Sequence, residues 1–205
     1  MQLNGPQPMS ALRPALFIDK DGTLVENVPY NVDPARLRFM PGALEALGHV
    51  ARRGFALVVV TNQSGLARGY FSRAQFAALQ RALEDRLWDE AGIRLEDVQV
   101  CPHAPGPGGH PACLCRKPAP GMLVRAARLD GIDLGRSWMV GDPLDDVEAA
   151  HRCGCRAVLL DTGGETLWRR SPLRTPEATL PDWRSLRDYL DQQCARSVAW
   201  QPGTP

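Results

Sequence analysis

Two aspartates one residue apart, Asp19 and Asp21, follow the apolar run Leu16-Phe-Ile and precede Gly22-Thr-Leu. Carboxylates this close repel each other unless a cation or a raised pKa intervenes. A hard divalent ion with oxygen ligands, Mg2+ above all, meets that need. Three further motifs follow in order. Val60-Thr-Asn-Gln-Ser64 offers the Thr61 hydroxyl and loop amides, Cys115-Arg-Lys117-Pro supplies a cation, and Trp138-Met-Val-Gly-Asp142 with Asp146 adds carboxylates. A lone Asp-x-Asp is as readily a solvated surface turn. Four motifs in sequence point instead to one site at the carboxyl edge of a parallel sheet, where open α/β sheets bind ligands.

A second constellation lies between them. Cys101-Pro-His103 and Cys113-Leu-Cys115 bring three thiols and an imidazole, a tetrahedral zinc set. Residues 104–112 between them hold three prolines and three glycines and build no regular element, so a metal clip is a sensible way to order the loop. Four protein ligands close the shell, which makes the Zn2+ structural rather than catalytic. His110 is a possible substitute ligand. The alternative is unconnected thiols on a flexible loop. Cys153 and Cys155 read as small buried packers, and Cys194 has no visible partner.

The elements that must position these residues are legible as short apolar runs: Ala15–Asp19, Phe55–Val60, Asp97–Cys101, Ser137–Gly141 and Arg156–Asp161. Runs of this kind suit parallel strands covered on both faces. Helical patterns lie between them at Pro41–Arg53, Ser72–Ala91, Pro120–Leu129 and Leu144–Cys153, with a last one near Pro181–Cys194. Ser72-Arg-Ala-Gln75 is a capping-box pattern, and Phe76, Leu79, Leu83 and Leu87 form one stripe behind it. Strand–helix alternation predicts an α/β doubly wound parallel sheet with right-handed crossovers. Residues 102–118 and 162–181 are expected to be irregular. The domain is expected to span 14–194, with the zinc loop at 101–118, a frayed leader at 1–13, a frayed tail at 195–205 and no large cap.

The chain has 205 residues, with 24 Lys and Arg against 23 Asp and Glu, and 44% hydrophobic residues. These proportions belong to a globular domain, and the balanced charge gives no electrostatic case for nucleic acid or an anionic membrane as partner. No apolar run approaches the roughly 20 residues that span a bilayer. Residues 1–10 have neither the basic nor the apolar region of a secretory signal, so the expected compartment is the cytoplasm, with free thiols and metal ligands rather than disulfides. A monomer is expected.

The set Asp19-x-Asp21-Gly-Thr, Thr61-Asn, Lys117 and Gly141-Asp142-x-x-x-Asp146 resembles the haloacid dehalogenase superfamily of phosphatases over roughly residues 15–161. The resemblance implies that Asp19 is the nucleophile and Asp21 the general acid and base. It further implies that Asp19, the backbone carbonyl of Asp21 and Asp142 hold Mg2+, and that Thr61 and Lys117 hold the phosphoryl oxygens. Asp146 supports the metal site or Lys117. The Cys-Pro-His…Cys-x-Cys-Arg-Lys-Pro segment is similar to the capless branch that contains heptose bisphosphate phosphatases and histidinol-phosphate phosphatases. Thr61-Asn62-Gln63-Ser64-Gly-Leu-Ala-Arg68-Gly resembles the heptose branch, whose substrate is a small phosphorylated sugar, and the resemblance implies that Asn62 and Gln63 also touch substrate. Ser64, Arg68 and Arg116 suit an anionic, hydroxyl-rich ligand, and Asn27 and Tyr30 match a substrate-contacting loop by position. One departure is Pro143, where the heptose branch usually carries Lys. The rival readings are a histidinol-phosphate phosphatase and a catalytically dead, zinc-stabilised interaction module.

Overall fold

In the computed structural model, which describes residues 12–109 and 112–199, six strands form one sheet in the order β3-β2-β1-β4-β5-β6. They are β1 (Ala15–Ile18), β2 (Ala56–Asn62), β3 (Asp97–Cys101), β4 (Trp138–Gly141), β5 (Arg156–Leu160) and β6 (Ala178–Leu180), and every pairing is parallel. The helices are α1 (Ala43–Arg52), α2 (Ser64–Ala67), α3 (Arg73–Ala91), α4 (Gly121–Asp130), α5 (Leu144–His151) and α6 (Trp183–Ala199).

Alternation along each strand sorts the core into two layers, because successive strand side chains point to opposite faces. Leu16, Ile18, Leu57, Val59 and Val140 pack with α1, α3 and α6 through Leu47, Leu83, Leu87 and Leu186. Phe17, Val58, Val60, Met139 and Leu159 pack with α4 and α5 through Met122, Leu123, Val147 and Ala150. The expected capping box is present: Ser72 Oγ accepts from Gln75 N–H at 3.2 Å while Gln75 Oε1 accepts from Ser72 N–H at 2.9 Å. Gly92 closes α3 at φ +63°, a left-handed conformation that a Cβ would strain.

Several boundaries differ from the sequence reading. The segment 162–181 contains the edge strand β6, too short for its period to stand out. α5 ends at His151, two residues early, because the turn into Gly154 begins there. The last helix starts at Trp183 and runs to Ala199, five residues into the expected tail. The expected leader lies outside the described residues except for Leu12 and Arg13. Arg13 N–H already bonds Gly131 O at 3.1 Å, and its guanidinium pairs with Glu96. No described helix is long and apolar enough to cross a membrane.

The chain runs outward from β1 through β2 to β3, then returns to β4 on the other side of β1. That reversal opens a crevice at the carboxyl ends of the central strands. The register pairs Ile18 with both Val59 and Val140, so the residues that follow the three strands emerge together. α6 reaches this edge through Trp183, whose Nε1–H donates to Thr23 O at 2.9 Å. Both residues are buried. Trp183→Phe should therefore lower stability in urea titration by about 1–3 kcal/mol, the scale of leaving a buried acceptor unsatisfied.

Candidate active site

Asp19 continues β1, its N–H donating to Val140 O at 2.9 Å. The chain then folds back on itself: the N–H groups of Leu24 and Val25 donate to Lys20 O at 3.0 and 2.9 Å, and Gly22 N–H donates to Val25 O at 2.8 Å. Gly22 adopts φ +89°, and a Cβ there would run into the Asp142 carboxylate. Glycine is thus required for both the turn and the close approach. Thr23 Oγ1 donates to Asp142 Oδ1 at 3.2 Å, tying the β1 turn to the end of β4.

Lys117 lies between the two ends, 3% exposed. Its Nζ donates to Val60 O at 2.9 Å, pairs with Asp19 and sits 2.6 Å from Asp146 Oδ1. Its backbone is gripped on both sides by the Asn62 amide: Lys117 N–H donates to Asn62 Oδ1 at 3.1 Å, and Asn62 Nδ2 donates to Lys117 O at 3.2 Å. Burial works against the ammonium, but the carboxylates of Asp146 and Asp19 outweigh it and raise the Lys117 pKa.

Oxygens of Asp19, Asp142 and Asp146 lie within 4.8 Å of one another. All three side chains are buried. Burial pushes Asp142 up to about 6, with the Asp19 charge adding to the effect. Burial also raises Asp19 and Asp146 despite the pull of Lys117. Three buried carboxylates face one buried ammonium in this cluster, and Asp146 Oδ2 has no hydrogen-bond partner among the described residues. A divalent cation with oxygen ligands fits that imbalance in charge and in donor type. Gly164 backs onto Asp142, where a Cβ would strike the carboxylate. The departure at Pro143 is structurally filled. Pro143 gives α5 no side-chain cap, and Glu165 Oε2 accepts from Leu144 N–H at 2.9 Å instead.

Asp21 faces the other way. It lines a cleft of about 290 Å³ together with Lys20, Asn27, Tyr30, Gln63 and Ser64. Asn62 also lines it, although its amide is committed to Lys117. Tyr30 adopts φ +54° and stands edge-on to Tyr70, ring centres 4.6 Å apart. Five of the seven residues expected to touch substrate therefore share one wall with the expected proton shuttle. Arg68 and Arg116 do not line that cleft. Arg68 is exposed beside Tyr70 and Tyr30, and Arg116 Nη1 donates to His103 O at 3.1 Å, bracing the loop.

That loop brings Cys101, His103, Cys113 and Cys115 together. The contacts among the three sulfurs and His103 Nδ1 run from 3.3 Å (Cys113 to Cys115) to 3.7 Å (Cys101 to Cys113). A tetrahedron of sulfurs about 2.3 Å from a central ion has edges of about 3.8 Å, so the cluster is close to metal-ready. The thiols are free. Burial pushes Cys101 up to about 12. Burial also acts on Cys113, but the Arg116 N–H and neighbouring thiol hydrogen bonds outweigh it and bring Cys113 down to about 7. His110 lies outside the described residues.

A D-glycero-beta-D-manno-heptose-1,7-bisphosphate 7-phosphatase of Escherichia coli K12 is 40% identical over 174 residues, which cover 83% of this chain and 87% of that protein. The chain belongs to the haloacid dehalogenase-like phosphatases. The HAD-hydrolase-like family profile matches residues 114–186, which hold Lys117, Asp142 and Asp146. Among solved structures, D,D-heptose 1,7-bisphosphate phosphatase from B. bronchiseptica, complexed with magnesium and phosphate, superposes with a TM-score of 0.75 at 32% identity. The match covers 88% of this chain and 99% of that one. The corresponding enzyme from Burkholderia thailandensis gives a TM-score of 0.60 at 29% identity, covering 87% and 99%.

Within this phosphatase the sequence reading missed Lys20, whose buried Nζ sits 2.5 Å from Asp21 Oδ1. The only available signal was a lysine standing between two acids. It also missed Glu165 and Gly164, which come from a loop with no pattern of its own. Lys117→Met should abolish turnover and cost about 3–5 kcal/mol of stability at neutral pH, because buried carboxylates lose their counter-charge. Asp19 and Asp146 already have raised folded pKa values, so the folded state binds the extra protons and the deficit should shrink as pH falls from 8 towards 5. Urea titrations of the metal-free variant across that range measure it.

Proposed function

We propose that this protein is an Mg2+-dependent phosphomonoesterase that removes the 7-phosphate of a D-glycero-D-manno-heptose 1,7-bisphosphate, with a structural Zn2+ in its loop. The observation that carries the reaction is the split of the two aspartates. Asp19 is buried against Lys117 and the acidic cluster, while Asp21, two residues on, opens into the cleft. That split suits a nucleophile on one side of the turn and a proton shuttle on the other.

In the first half-reaction an Asp19 carboxylate oxygen attacks phosphorus, the P–O bond to the sugar breaks, and the leaving oxygen takes a proton from Asp21. In the second, Asp21 takes a proton from water, the water oxygen attacks phosphorus, and the Asp19 O–P bond breaks to release phosphate. Asp19, Asp142 and the Asp21 carbonyl would hold Mg2+, with Asp146 beside them, and the ion supplies charge neutralisation between carboxylate and phosphate. Lys117 stabilises phosphoryl charge as a point cation, and the Thr61 hydroxyl donates to a phosphoryl oxygen. The Cys101, His103, Cys113 and Cys115 set would hold Zn2+, ordering the segment that delivers Lys117.

The sugar assignment draws support from the names of the relatives. The cleft wall agrees with it, since Asn27, Ser64 and Tyr30 offer amide and hydroxyl groups to a polyol. Histidinol phosphate is the comparison substrate. Phosphate-release assays should give a higher kcat/KM for the heptose bisphosphate, and the reverse order would overturn the assignment.

Asp19→Asn should abolish turnover with the fold intact, and Asp21→Asn should slow the sugar substrate by ~10²–10⁴-fold, the range of general acid–base catalysis. Wild-type turnover by Asp19→Asn would sink the mechanism. Elemental analysis of protein purified without chelator should find one zinc per chain. Cys113→Ser should lose that zinc and lower both melting temperature and activity.

A further inference from the structure

We propose that Gln63 is the positioning residue that couples the phosphate-holding hydroxyl to the proton shuttle. This assignment rests on the phosphatase reading above and gives Gln63 a task other than the substrate contact expected from sequence. Gln63 follows β2 directly and is 7% exposed. Its backbone N–H donates to Cys101 O at 2.8 Å, which pins it to the strand neighbouring β2. Its side-chain nitrogen then makes two bonds of equal length, 2.8 Å to Thr61 Oγ1 and 2.8 Å to Asp21 Oδ2. An amide nitrogen carries two hydrogens, so both bonds form at once.

Each bond has a chemical consequence. The Thr61 oxygen accepts from Gln63, and its own hydrogen makes no bond to any described residue. Thr61 is thereby set as a donor, the role that a phosphoryl oxygen requires. At Asp21 the two oxygens become inequivalent. Oδ1 takes the Lys20 ammonium at 2.5 Å, a charge-assisted bond that disfavours a proton there. Among the described residues, Oδ2 takes only the neutral amide of Gln63. An oxygen has two lone pairs, so Oδ2 retains one to carry the transferred proton. Gln63 and Lys20 together stop the carboxylate from rotating and assign the proton to one atom.

The test exploits leaving groups. A sugar alkoxide must be protonated as it departs, whereas p-nitrophenolate leaves without a proton. Gln63→Met, of similar length and without a donor, should lower kcat on a sugar phosphate by ~10²-fold, the low end of general acid–base effects. In the same sample the pre-steady-state release of p-nitrophenolate from p-nitrophenyl phosphate should fall by less than about 10-fold. A burst approaching one p-nitrophenolate per active chain should appear, because the second half-reaction still needs Asp21 as base. Gln63→Leu, which likewise cannot donate and adds no charge, should show the same selective loss. The discriminating quantity is the ratio of two rates in one sample, so the folded fraction cancels. Equal losses on both leaving groups without a burst overturn the proposal while the phosphatase reading stands. Failure of the unmutated chain to hydrolyse either substrate with Mg2+ overturns that reading and this one with it.

Discussion

One buried ammonium organises the molecule's working edge. Lys117 binds a β2 carbonyl, the acid that ends β1 and the acid on α5, so three separate stretches of chain converge on a single nitrogen. Removing an ammonium from water is costly, and removing carboxylates is costlier still without a partner. The cluster answers both costs with mutual pairing, yet it leaves the carboxylates in excess. Burial first, and like charge from the neighbouring carboxylates after it, push the pKa values of Asp19, Asp142 and Asp146 upward. The excess of carboxylate is also what a divalent cation would balance. The charge imbalance of the cluster and the fit of such an ion to it are two aspects of one arrangement.

Such a cluster is only as good as the backbone that holds it. The β1 turn is closed by Lys20 O and locked from outside by α6 through Trp183. Gly22 and Gly164 both approach Asp142 where no other residue would fit, so Asp142 is packed between two backbones rather than held by a network of side chains. Lys117 depends on Asn62 in the same way. The amide grips both its N–H and its carbonyl, so the end of β2 is tied to the segment before α4. The cysteine–histidine cluster supports this from the other end. Cys115 stands two residues before Lys117, and Arg116 ties back to His103, which gives a metal in the loop a direct mechanical route to the site.

The second aspartate faces a different environment. Asp21 is held by Lys20 and Gln63 at the wall of a cleft rich in amides and hydroxyls. A nucleophile works best deprotonated, buried and paired, and a proton shuttle works best near the water and the leaving group it must serve. In the mechanism proposed above, the single-residue spacing of the motif would separate these demands, because an extended strand ends at Asp19 and a tight turn begins at Lys20.

The sequence by itself determined the parallel α/β architecture, the chain order of β1 to β5 and of the five longer helices, the two aspartates, Lys117, the Asp142–Asp146 pair and the metal-ready loop. These follow from local signals: apolar runs, a capping box, ligand-type residues at short spacing. Tertiary structure alone decided how those residues are used. Gln63 reads as one polar residue among several in its segment, and only the register between β1 and β2 shows that its amide spans Thr61 and Asp21. Asn62, expected to touch substrate, lines the cleft and also clamps Lys117, a partner 55 residues away that no local signal reveals. Arg116, expected to serve a distal phosphate, braces the His103 carbonyl, a contact that spacing does not reveal. The strand β6 and the Glu165 cap on α5 left no periodic trace, being short and built on irregular chain. In each case the deciding quantity is a distance between residues far apart in sequence. Periodicity and spacing do not encode such a distance, and packing of the sheet sets it.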